Sequence, residues 1–132
     1  MSDVYAALDA MQARLRALRG MAVEVAREAA PLVEGVVRAS AAAGTTVEGE
    51  PWPTRRDGSR ALPDAANAVT AAAVGTTIVV SLKGPYVFHN SAEGKDRRRI
   101  LPEEGRGVPP AIAKVLTKAG ETVFARRAAG AR

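Results

Sequence analysis

From Val4 onward, apolar or small residues fall at Val4, Leu8, Met11, Leu15, Leu18, Ala22, Val25, Ala29, Leu32, Val36 and Ala39, in steps that alternate four and three. That spacing keeps one stripe on one side of an α-helix and leaves Arg14, Arg16, Arg19, Arg27, Glu28 and Glu34 largely off it. Ser2 or Asp3 can cap the start by accepting bonds from the first free amides. The pattern predicts a helix over residues 1–43, roughly 60 Å long at 1.5 Å per residue. Pro31 lacks an amide donor and crowds the carbonyl of Arg27, and Gly35 adds backbone freedom, so a kink or break is expected near 31–35. The seam can pack on its own domain or against a neighbouring chain. Its length favours at least part of it, carried by Leu8, Met11, Leu15, Leu18 and Val25, reaching a neighbour.

The rest of the chain has room for one modest core. At 132 residues a single domain is expected. Hydrophobic residues make up 47%, but alanine supplies much of that share and each alanine buries little surface, which favours burial against other subunits. Residues 44–63 are rich in Gly, Pro, Thr and charge and read as an extended connection carrying Trp52 between Pro51 and Pro53. The indole can anchor inside the domain, which is the more common use, or serve as an interface residue.

Residues 64–107 hold the strands and a basic loop. Asp64–Ala73 suits a short helix or the lead into a sheet, and Thr76–Leu82 is the clearest strand, with Ile78 and Val80 facing the core. After the Lys83-Gly84-Pro85 turn, Tyr86–His89 forms a second strand or a short helix, and Tyr86 and Phe88 are expected in the densest part of the core. Asn90–Gly107 reads as an exposed loop or hairpin. Pro109 and Pro110 then open a final helix over 108–126, with Ile112, Val115, Leu116, Ala119, Val123 and Phe124 on its buried face and a frayed tail at 127–132. The fold class is therefore α+β: a long N-terminal helix, a small antiparallel sheet and a C-terminal helix.

Charge is unevenly placed. Residues 1–82 carry 8 basic and 9 acidic groups, whereas 83–132 carry 11 and 5. Arg97, Arg98 and Arg99 form the best electrostatic site, able to face an acidic protein neighbour or to contact a DNA backbone without base specificity. A solvated loop that pairs with Glu93, Asp96, Glu103 and Glu104 is the plainer alternative.

No catalytic constellation emerges. The chain has no cysteine and one histidine, His89, a weak start for any metal site. His89 with Ser81 or Ser91 and Asp96 lacks the strained serine turn of a nucleophile, the acid pairs Glu48/Glu50 and Glu103/Glu104 sit in loops, and Gly105-Arg106-Gly107 matches no phosphate cradle. No enzyme, cofactor, small-molecule substrate or membrane span is expected, and the protein is expected to be soluble in the cytosol where it is made.

In order, the segments resemble the phage virion morphogenesis and tail-completion proteins. Gly49-Glu50-Pro51-Trp52-Pro53 is similar to that family's glycine-x-proline-tryptophan segment, followed by Arg60-Ala61-Leu62 and a strand pair. Gly84-Pro85-Tyr86-Val87-Phe88-His89-Asn90 resembles its tyrosine and histidine stretch, and Arg97-Arg98-Arg99-Ile100-Leu101-Pro102 its arginine and proline segment. Pro63-Asp64-Ala65 departs from the threonine-glycine pair usual there. The resemblance implies a non-catalytic subunit of the phage neck or tail end, acting in tail completion, tail termination or head-tail joining. It would form a homo-oligomeric ring, sixfold to match a tail, against neighbouring neck or tail proteins, in the virion and in host cytoplasm during assembly. The rival from another class is a small basic DNA-binding protein, a packaging or nucleoid accessory.

Overall fold

The computed structural model describes residues 2–54, 58, 61–91, 98–103, 105 and 107–130, the side chains of Ser2, Asp3, Phe88 and Ser91 excepted. Helix α1 runs over Ser2–Ala43. It is followed by a short 3-10 helix at Ala65–Ala68, the antiparallel strands β1 (Val69–Val74) and β2 (Thr77–Leu82), helix α2 (Tyr86–Ser91) and helix α3 (Pro110–Gly130). This is an α+β arrangement.

α1 continues without interruption through Pro31 and Gly35, so of the kink or break expected there the break does not occur. Pro31 is exposed, where water can serve the carbonyl that its missing N–H leaves unbonded. The helix ends at Gly44, whose φ of 74° only glycine adopts cheaply. There the amide of Gly44 bonds back to Ala41 O at 3.1 Å and that of Thr45 to Ser40 O at 3.0 Å, the paired closure of a Schellman turn. A tight reversal over 45–51 then returns the chain, and the amide of Trp52 donates to Gly44 O at 2.9 Å.

Between 64 and 73 both expected forms occur, first the 3-10 helix and then β1. The strands join through Gly75-Thr76, with Gly75 at φ 60° as a type II′ hairpin requires. Lys83 N donates to Ala68 O, so with Val69 opposite Leu82 the bonded pairs alternate and the amides of Val69, Ala71, Ile78, Val80 and Leu82 point away from the ladder. α1 closes the β1 edge with two side chains one turn apart. Glu34 Oε1 accepts from Ala71 N at 2.9 Å, and Arg38 donates through Nε (3.0 Å) and Nη2 (2.9 Å) to Val69 O.

The core gathers Val33, Val37 and Ala41 of α1 with Val47, Trp52, Ala65, Val69, Ile100 and Ile112. Ile78, Val80 and Tyr86 pack against it only partly buried, whereas Trp52 and Ile100 are buried within it. Phe88 is in α2, and its side chain lies outside the described residues. α3 lies along α1 and buries Ile112, Ala119 and Val123. Phe124, expected on that face, is 64% exposed, because it sits about 100° around the helix from Val123. The expected frayed tail is helical to Gly130, where Arg127 holds Glu24 at 3.0 Å and Arg126 holds Glu28 at 3.2 Å.

Glu34→Ala is expected to cost about 1–2 kcal/mol in urea unfolding, because it strips a partner from a strand-edge amide. Amide exchange should quicken at Ala71 more than at Ala72, whose N–H lies within the ladder.

Candidate functional site

The two surfaces marked by the sequence have opposite fates. The described members of the arginine run, Arg98 and Arg99, are turned toward their own chain. Arg99 is only 8% exposed, with Nη2 3.0 Å from Glu48 Oε2 and Nη1 2.7 Å from Glu103 Oε2. Arg98 donates through Nε to Pro53 O at 3.0 Å and through Nη2 to Thr54 O at 3.3 Å. Arg97 lies outside the described residues. Arg98 and Arg99 are therefore fasteners within the chain rather than an exposed patch awaiting an acidic neighbour or DNA. Their acid partners include Glu48, from the opposite side of the sequence.

Trp52 meets them there. Its indole is 7% exposed and its Nε1 donates to Arg99 O at 2.9 Å, so it is an internal anchor and not an interface residue. Asn90 pins the same segment from another direction, its Oδ1 accepting from the amides of Ile100 (2.8 Å) and Leu101 (2.9 Å). The three short motifs around Trp52, Asn90 and Arg99 thus converge on one another. The expectation of an exposed loop over 90–107 fails at its centre, where Ile100 is fully buried.

Burial by itself would raise the Glu48 carboxyl. Its own backbone amide, the Arg99 guanidinium and the Thr46 hydroxyl outweigh that and hold it below the usual carboxylate range.

The seam on α1 meets the opposite fate. Val4, Tyr5, Leu8, Met11, Leu15 and Leu18 are 49–66% exposed. Every residue from Val4 to Arg19 is exposed, whereas α1 buries Ala26, Ala29, Ala30, Val33, Val37 and Ala41 farther along. At about 100° per residue, Val4, Leu8, Met11, Leu15 and Leu18 fall within about 40° of one line, and Ala26, Ala29 and Val33 continue it. The bare stripe is therefore the same side of the helix that the body covers, extended past the end of its cover. α3 reaches back along a different side of α1, where Arg127 meets Glu24 and its Nη1 lies 3.4 Å from Ala17 O. Val25, expected in the interface, is half-covered by the chain itself. Tyr5 and Phe124 belong to the exposed apolar surface without having been expected there; only their offset from the regular spacing could have signalled it. The accessible surface of 9014 Å² compares with roughly 6,600 Å² for a compact monomer of this mass.

Nothing comparable gathers for chemistry. Among the described residues no three acidic or histidine side chains cluster to hold a metal, and no helix is long and apolar enough to cross a membrane. His89 is half-buried in α2 and Ser81 is exposed on β2, while Asp96 and the Ser91 side chain lie outside the described residues. A groove of about 250 Å³ between β2 and the start of α3 is lined by Val33, Ile78, Val80, Pro109, Ile112 and Leu116, with no convergent polar groups among them.

Arg99→Met is expected to cost about 3 kcal/mol, since it leaves two carboxylates without their cation. Folding lowers the pKa of Glu48, so its contribution to stability is complete above the unfolded carboxyl value of about 4.3 and is lost as pH falls through the folded value. Glu48→Gln should flatten that part of the stability profile in urea titrations at stepped pH. No protein-family model, curated protein or solved structure matches the chain.

Proposed function

We propose that this protein is a structural, non-catalytic subunit of a phage neck or tail end, acting in tail completion, tail termination or head-tail joining and held among copies of itself and neighbouring virion proteins. The observation that carries the proposal is the bare apolar stripe on the first half of α1. Five large apolar side chains at alternating four and three spacing stand in water along about four turns of helix. Surface of that kind is stable in solution only at a cost, and it is regained when a partner covers it.

The thin core supports the same reading. Most of its buried α1 positions are alanine or valine, which gives the chain reason to draw stability from assembly. The order of the Trp52, Asn90 and Arg99 segments, which resembles that of the tail-completion proteins, gives the assembly its identity. The sixfold ring is part of the same proposal, by symmetry with a tail. DNA-backbone contact through the arginine run has less support, because Arg98 and Arg99 are spent on carbonyls and carboxylates of their own chain.

Mass spectrometry and mapping of purified particles should place the protein at the neck or tail end in stoichiometric copy number. A double variant Leu8→Asp/Leu15→Asp should keep its circular dichroism spectrum, since both sites are exposed, yet drop out of particles. Absence of the wild-type chain from every particle would overturn the proposal. DNA binding at physiological salt should be negligible.

A further inference from the structure

We infer that the bare half of α1 is a docking strip for an amphipathic helix of a different protein, one whose flanking positions are acidic, and not for a second copy of α1. The inference rests on the assembly reading above and names the partner of its seam. Its first support is continuity: the strip prolongs the line of Ala26, Ala29 and Val33, which the body buries, so a partner helix would take up that side of α1 where the body leaves it. Its width also suits a helix. The large side chains form two adjacent columns, Leu8 with Leu15 and Val4 with Met11 and Leu18, the narrow seam that a single partner helix covers.

Charge selects the partner. From Val4 to Gly20 the sequence carries Arg14, Arg16 and Arg19 against a single acid, Asp9. Arg14 and Arg19 flank the seam on opposite sides, at about 80° and 60° from its line. None of the three has an ion-pair partner among the described residues, in contrast to Arg99, Arg126 and Arg127. In a parallel pair of α1 helices, Arg14 would face Arg19 of the other copy five positions on, which sets like charges together on both sides. Glutamates at those flanking positions on another helix would instead pair with both arginines. An anionic lipid surface would also attract them, but a narrow two-column stripe without Trp or Phe suits a helix better than a bilayer.

The test titrates the full chain with two synthetic helical peptides of about four heptads. Both carry leucine at the core positions; one has glutamate and the other lysine at the flanks. Vesicles of mixed phosphatidylserine and phosphatidylcholine form a third arm. The glutamate peptide is expected to bind at least about tenfold more tightly than the lysine peptide at low salt. Arg14→Glu/Arg19→Glu should invert that order, and Leu15→Asp should abolish binding of both with the helical signal intact. Equal affinities, or vesicle binding without peptide binding, would overturn the inference. So would self-association of the chain that Leu15→Asp disperses. If the chain is mapped to the neck while the peptides are not distinguished, the inference fails and the assembly reading stands. If it is found in no particle, that reading fails whichever peptide binds.

Discussion

Trp52 reaches across 47 positions to donate its indole N–H to the carbonyl of Arg99, and the segments on either side depend on that bond for their place. Among the described residues, neither segment has a strand or helix of its own to satisfy its backbone. Their polar groups are served by side chains instead: Arg98 on the carbonyls of Pro53 and Thr54, Asn90 on the amides of Ile100 and Leu101, Arg99 on the carboxylate of Glu48. With its amide served by Asn90, Ile100 is buried completely.

The same device recurs at the sheet. A two-stranded hairpin is marginal alone, and here α1 both covers its inner face and occupies the outer edge of β1 through Glu34 and Arg38. α3 is held by the analogous pairs Arg126 with Glu28 and Arg127 with Glu24, which are half-exposed and act more as alignment than as strong attraction. Side chains of α1 thus organise most of the body from one half of the helix. The other half is left to face outward.

Much of this architecture was legible in the sequence. The four-and-three spacing marked α1, the β-branched run Thr76–Leu82 marked β2 to within one residue, and the double proline marked the start of α3. The site was less legible. A row of arginines beside glycines and acids has the composition of an exposed loop, and nothing local to Arg99 shows that Glu48, 51 positions earlier, will stand beside it. The Phe124 error had another origin, since one residue's difference in helical phase separates Val123 in the core from Phe124 in water.

By itself the sequence determined the elements and the existence of the seam, because helix periodicity, β-branched runs, proline and glycine act through neighbours a few residues apart. Only the tertiary structure decided which part of the seam is spent and which is bare. That outcome depends on how much of α1 the rest of the chain packs against, through core contacts that join Val33 and Val37 to residues as distant in sequence as Ile100 and Ile112. The same long-range contacts turned Trp52, Arg98 and Arg99 inward. The bare apolar surface therefore lies on the helix from Val4 to Leu18.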